Sequence, residues 1–306
     1  MVTRHAHGNV TWIDLESPAP DELSAVMREF DIDSRVEDEI RLPTPYPLYM
    51  SAPRYQYLIL HFPTAVSSGG ARDQEVDFIV GKQFLITVRY DVIDSIHNLH
   101  KVFEAEELLG IPSSTVTKAD KLIERVLRRL YGAIRHEVEH TARRLERIER
   151  EVFSGHERET VHQISEVGRV LLKFETTLER HAEPLNDMLK NLASPKFFGT
   201  GWNARIAQIE AERGHVAALV SSYRAVATEL RDTNDSLLSA GQNEVMKNLT
   251  VITFVMFPLS LIAALFQMGL PGTPLTADPN AFWIVIGAML AVSGFLALYI
   301  IRKGWL

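Results

Sequence analysis

Leu249–Met268 reads LTVITFVMFPLSLIAALFQM, and Ala281–Ile301 reads AFWIVIGAMLAVSGFLALYII. The first run is 20 residues long and the second 21, and neither carries a charge. A helix rises about 1.5 Å per residue, so ~20 apolar residues match a hydrocarbon core of roughly 30 Å. Two such runs in succession predict a pair of membrane-crossing helices at the C-terminal end. Pro258 would be costly in a soluble helix, but a membrane helix tolerates it when neighbouring groups satisfy the freed carbonyl.

The flanks give an orientation. Lys247 precedes the first run, Arg302 and Lys303 follow the second, and the connection 269–280 contains no Lys or Arg. By the positive-inside rule both termini are expected in the cytoplasm, with the short loop outside. Trp283 and Trp305 stand near the ends of the second run, where amphipathic rings favour the interface. Residues 1–20 contain no apolar run, so no secretory signal is expected there.

Charge is segregated along the 306 residues. Only Asp278, Arg302 and Lys303 lie beyond position 247, so the preceding residues hold 30 basic and 38 acidic groups. An acidic body lacks the basic stripe that would meet nucleic-acid phosphates, so no nucleic-acid partner is expected. The absence of cysteine excludes disulfides, thiolate metal sites and cysteine nucleophiles. No G-x-x-x-x-G-K-[ST] or G-x-G-x-x-G motif is present, so neither a nucleotide cofactor nor ATP coupling is expected.

The first ~110 residues read as mixed α/β. Strands are predicted at Val10–Leu15, Tyr55–Phe62, Val76–Val80 and Phe84–Val88, which are rich in β-branched and aromatic residues. Helices are predicted at Asp21–Phe30, at Ser34–Arg41 with Ser34 as N-cap, and at Asp91–Leu109. The prolines at 43, 45, 47 and 53 and the stretch Ser67–Gly70 read as loops. Between Lys118 and Phe153, Leu127, Leu130, Ile134, Val138, Leu145, Ile148 and Val152 recur at helical spacing on a charged background. A second rod covers Thr160–Leu192, with Pro195 and Gly199 marking a turn. A third runs from Asn203 to Met268, on the order of 100 Å if unbroken, with Gly214 and Gly241 as weak points.

The first membrane run has a polar side. At about 100° per residue, Asn243, Met246, Thr250, Thr253, Phe257, Ser260, Ala264 and Gln267 occupy roughly one third of the circumference. Polar groups in hydrocarbon are costly and are expected to face protein or water. They either line a pore or bond to a neighbouring helix. Two spans cannot enclose a channel alone, so the pore reading requires several chains. Rings of amide and hydroxyl groups suit Mg²⁺, which sheds water reluctantly. Met246, Leu249 and Phe257 would form apolar constrictions that close by dewetting. In the second run, Gly287-xxx-Ala291 is a small-residue pattern expected to pack against the first helix.

The sequence Asn243-Glu244-Val245-Met246-Lys247, followed by Leu249-Thr250, Phe257-Pro258-Leu259 and the closing Lys303-Gly304-Trp305-Leu306, resembles the CorA family of divalent-cation transporters. Trp12-Ile13-Asp14-Leu15 and Phe84-Leu85-Ile86-Thr87-Val88 extend the likeness into the N-terminal part. The resemblance implies a funnel-like homopentamer in the cytoplasmic membrane, with the first membrane helix lining the pore and the second outside it. It implies passive transport of Mg²⁺, and in some members of Co²⁺, Ni²⁺ or Zn²⁺, by a protein that is not an enzyme. The alternative is a non-conducting or zinc-preferring relative acting as an ion sensor or scaffold.

One departure bears on selectivity. The family's Gly-Met-Asn signature is replaced here by Gln267-Met268-Gly269, which leaves no side chain in place of the asparagine. The family's regulatory stalk aspartate aligns with Gln208, near Glu210 and Glu212, and acidic runs such as Glu104–Glu107 are further candidates. The regulatory metal ligands therefore remain unassigned.

The organisation implied is a cytoplasmic α/β domain (1–110), a helical hairpin (111–200) and a stalk helix (201–248). Membrane helix 1 (249–268), an external loop (269–280), membrane helix 2 (281–301) and a cytoplasmic tail (302–306) complete it. His136-Glu137-Val138-Glu139-His140 matches the zinc-protease pattern H-E-x-x-H. It lies on a charged rod among Arg135, Arg143, Arg144 and Arg147, and Val138 belongs to that rod's apolar stripe. A solvated helix face is the expectation.

Overall fold

The structure, a computed structural model, describes residues 1–7, 9–66, 70–108, 118–267 and 281–303. Its described residues form two compact units, Met1–Asp232 and Thr233–Leu306.

The first unit is built on a six-stranded sheet with the order β1-β2-β6-β5-β4-β3. The strands are β1 (Val2–His7), β2 (Val10–Glu16), β3 (Leu48–Ser51), β4 (Tyr55–Val66), β5 (Gly70–Gly81) and β6 (Phe84–Arg89). Only β2 and β6 pair in parallel; the other neighbours are antiparallel. The central strands cover the four predicted ones, and the two additional strands, β1 and β3, are the sheet's edges. An edge strand bonds on one side only, so it can be short or polar, as VTRHAH is, and leaves a weak sequence signal.

Side chains alternate between the two faces. Trp12, Leu58, Leu60, Phe78 and Leu85 point to one face, under α3 (Asp94–Leu108), α4 (Ala119–Phe153) and α5 (Glu157–Leu192). Ile13, Tyr57, Ile59, Ile79 and Ile86 point to the other, where α1 (Pro20–Glu29) and α2 (Ser34–Ile40) supply Met27, Val36 and Ile40. Burial on both faces is why runs such as YLILHF lack a clean polar alternation. The helix at 34 starts differently from the expectation: Ser34 is its first residue, and Asp33 caps it by accepting the Arg35 backbone N–H at 2.9 Å.

All seven stripe residues named for the first rod are buried along α4. After α5 the chain turns through Gly199, at φ +72°, a left-handed conformation that suits glycine. Trp202 follows, fully buried, its indole N–H donating to the Leu189 carbonyl at 3.0 Å.

The next helix, α6 (Asn203–Gln267), is continuous over 65 residues. Gly214, Gly241 and Pro258 all lie within it without ending it. The boundary between the two compact units falls inside this helix. α7 (Ala281–Arg302) completes the second unit.

Candidate functional site: the polar face of α6

Both α6 and α7 contain a segment long and apolar enough to cross a membrane. The most apolar window of each is 0% and 6% buried by the rest of the chain, so neither is the core helix of a soluble domain.

The coverage that does exist on each helix is one-sided. On α6 the partly covered positions are Val251, Val255, Pro258, Leu259 and Ile262. Asn243, Met246, Leu249, Thr250, Thr253, Phe257, Ser260, Ala264 and Gln267 are all exposed, Phe257 at 70%. At about 100° per residue the two sets are centred roughly 180° apart. The polar stripe of α6 thus points away from everything that its own chain packs against this segment.

On α7 the less exposed positions are Val285, Ile286, Met289, Val292, Ser293, Leu296 and Ile300. Gly287, Ala291 and Gly294 lie on the opposite side and are exposed. Within the single chain these small residues therefore do not pack against the first membrane helix. The sheltered side of α7 carries mostly larger apolar side chains.

The hydroxyls of the stripe share one arrangement. Thr250 Oγ1 donates to the Met246 carbonyl at 2.8 Å, Thr253 Oγ1 to Leu249 at 2.8 Å, and Ser260 Oγ to Met256 at 2.9 Å. Each hydroxyl has one proton, so what it presents outward is oxygen lone pairs. These three hydroxyls accept hydrogen bonds from the water around a cation. Met268 and the whole loop 269–280 lie outside the described residues, as do 304–306 of the tail; Gln267 is the last described residue of α6 and is exposed.

The protease-like pentapeptide lies on α4, with His136 and His140 exposed and Val138 fully buried between them. His136 and Glu137 border an open cleft of about 1260 Å³, together with Arg125, Arg128, Arg129 and Arg135. Those guanidinium groups oppose a dication. Among the described residues, no group of three His, Asp or Glu side chains is arranged to hold a metal. Gln208 and Glu210 are exposed on α6, and Glu212 is bound to Arg135 at 3.1 Å. Glu104 is exposed on α3.

Sequence reasoning missed the polar core of the first unit. Asp14 is buried and accepts from Thr87 Oγ1 at 2.5 Å, Arg89 Nε at 3.0 Å and His100 Nε2 at 2.9 Å. Burial works against the Asp14 carboxylate, but His100, Arg89 and Thr87 together hold its pKa below the usual range. His100 stacks on Trp12, with ring centroids 4.2 Å apart. This cluster ties α3 to the sheet. Its signal was the polar Asp14 and Thr87 inside otherwise apolar strands.

The model of the family described as "CorA-like Mg2+ transporter protein" matches residues 7–302. The chain belongs to that family. The cobalt/magnesium transport protein CorA of Methanocaldococcus jannaschii is 23% identical over 305 residues, covering 96% of this chain and 91% of the relative. The complete structure of the CorA magnesium transporter from the same organism aligns with a TM-score of 0.83 at 20% identity, covering 97% of this chain and 92% of that one. The ZntB cytoplasmic domain from Vibrio parahaemolyticus aligns with a TM-score of 0.61 at 12% identity, covering 78% and 91%. The CorA fold therefore extends over nearly the whole chain: an N-terminal α/β part, long helices and two apolar C-terminal helices. Membership in this family makes the protein a membrane transporter for divalent cations.

Proposed function

We propose that the chain forms a homopentameric conduit in the cytoplasmic membrane, both termini inside, that passes Mg²⁺ and accepts Co²⁺, Ni²⁺ or Zn²⁺ as further cargo. The observation that carries this reading is the exposed polar stripe on α6, opposite the side covered within the chain. In hydrocarbon that stripe would be costly, and symmetric assembly around it turns the cost into a water-lined path.

In this reading Asn243, Thr250, Thr253 and Ser260 meet the ion through its hydration shell. Mg²⁺ keeps several of its waters, and water protons match the outward lone pairs of the three hydroxyls. Met246, Leu249 and Phe257 are narrow apolar rings that close the path by dewetting, and Ala264 leaves room near the outer end. No carboxylate lies on the stripe, so ions bind weakly and leave readily. An inside-negative potential contributes about 4.6 kcal/mol per dication per 100 mV, at ~2.3 kcal/mol per charge, which makes ATP coupling unnecessary.

Gln267-Met268-Gly269 at the outer end favours a changed ion preference, and a zinc-preferring or non-conducting sensor is the second reading. Flux of Mg²⁺, Co²⁺, Ni²⁺ and Zn²⁺ into liposomes containing the purified full chain separates them. Uptake of Mg²⁺ is expected. Uptake of Zn²⁺ alone would replace the first reading with the second, and no flux of any ion by an assembled protein would sink the conduit.

A further inference from the structure

On the face of the sheet beneath α2, two carboxyl groups lie side by side on β5. Glu75 and Asp77 are two residues apart, so both side chains project to the same face. Asp77 is 0% exposed and Glu75 8%. Each uses one oxygen in a visible bond: Asp77 Oδ2 accepts from the Tyr57 hydroxyl at 2.9 Å, and Glu75 Oε2 from the Thr44 N–H at 2.7 Å. The remaining oxygens, Asp77 Oδ1 and Glu75 Oε1, are buried and meet no donor. The two carboxyl groups are next neighbours on one face of the strand.

The groups facing the pair are Glu39 from α2, Tyr57 and His61 from β4, and Tyr90 beyond β6. Asp73, two residues before Glu75 on β5, is held by Lys173 of α5 at 2.5 Å. Among the described residues no Lys or Arg forms an ion pair with Glu75 or Asp77. His61 offsets part of the charge of Glu75: its Nε2 donates to the Thr44 carbonyl at 2.6 Å and lies 3.4 Å from Glu75 Oε2, and although burial works against its charged form, Glu75 and Thr44 hold its pKa above the ordinary value. Asp77 forms no ion pair among the described residues.

An unpaired buried carboxylate is costly, and two adjacent ones more so. One proton shared by the pair removes one of the two charges. We propose that Glu75 and Asp77 bind a single shared proton at neutral pH, and that this proton latches the segment 39–44 onto the sheet. That segment is tied to the pair directly, through Thr44 N–H to Glu75. Within the segment Thr44 Oγ1 donates to Glu39 at 2.9 Å, and the Tyr90 hydroxyl donates to the Ile40 carbonyl at 2.6 Å. Loss of the proton sets two buried negative charges against Glu39 and releases the strap. Burial, and then the charge of Glu75, raise the Asp77 pKa well above the carboxylate range, in agreement with this geometry.

The sign follows from linkage. Opening returns the pair to water, where carboxyl groups ionise at ordinary pH, so opening releases one proton. Opening of 39–44 therefore grows about tenfold per pH unit, from the ordinary carboxylate range up to the raised value, and then levels off. Asp77→Asn places an amide donor against Glu75 and fixes the latched form; Glu75→Gln does the same from the other side.

The test uses the full chain in detergent. Infrared spectra at neutral pH should show a protonated-carboxyl band in the parent that is absent from both variants. Hydrogen exchange over 39–47, corrected for the intrinsic pH dependence of exchange, should show the tenfold-per-unit opening in the parent and none in either variant. A parent without the carboxyl band, or variants that keep both the band and the slope, would overturn the proposal.

Discussion

The fully buried His181 gives the first unit a built-in sensitivity to acid. Its Nε2–H donates to the His61 carbonyl at 2.7 Å, and its Nδ1 meets the Tyr131 hydroxyl at 3.1 Å. Burial pushes its pKa down to about 3 from 6.5; the bond to the His61 carbonyl opposes this, while the charges of His61 and Arg213 reinforce it. Between these values the unfolded chain takes up a proton that the folded chain refuses, so stability falls as pH falls. At 1.36 kcal/mol per pKa unit, going from pH 7 to pH 5 costs about 2 kcal/mol through this one side chain. Across the whole window the cost is on the order of 4–5 kcal/mol. His181→Gln keeps a donor and an acceptor but does not titrate. Unfolding of the full chain in detergent can be followed at pH 7 and pH 5 by fluorescence of the buried Trp12 and Trp202. The variant should lose about 2 kcal/mol less than the parent, or roughly 4–8 °C in midpoint for a unit of this size. Parallel losses in parent and variant would refute the reasoning.

Four further outcomes are expected. Replacing Phe257 or Met246 with Ser should raise resting ion flux in liposomes, because a wetter constriction lowers the barrier; unchanged flux in both, with folding intact, counts against the stripe as a pore wall. Gln267→Ala should weaken uptake, and converting Gln267-Met268-Gly269 to Gly-Met-Asn should sharpen the preference for Mg²⁺; parental transport of every ion by Gln267→Ala would make that residue a helix cap only. The purified protein should be a cyclic pentamer by light scattering, and a stable monomer would remove the basis for a pore. Trp202→Ala should cost about 3–5 kcal/mol in urea unfolding, since it empties a buried indole site and orphans the Leu189 carbonyl; a loss under 1 kcal/mol would show that the site collapses without cost.

The membrane helices, the long rods and the central strands were legible because each rests on a local rule. Charge-free runs of bilayer length, apolar positions at three and four, and dense β-branched stretches need no knowledge of partners. The edges of the sheet were not legible. β1 and β3 owe their state to β2 and β4, whose free backbone groups they pair with, and not to their own composition. The polar side of α6 could be read from spacing alone, because helical periodicity assigns a face.

Sequence by itself determined which residues share a face: the stripe from Asn243 to Gln267, the buried line along α4, and the two full-length apolar spans. Tertiary structure decided what each face meets. It left the stripe on α6 opposite the covered side, turned Gly287 and Ala291 outward, and gathered Asp14 with Arg89 and His100, and Glu75 with Asp77 and Thr44. Periodicity is a property of consecutive residues, whereas hydrogen-bond partners 73, 75 and 86 positions apart are brought together only when the sheet closes. No local pattern can record a contact whose other half lies on a different strand.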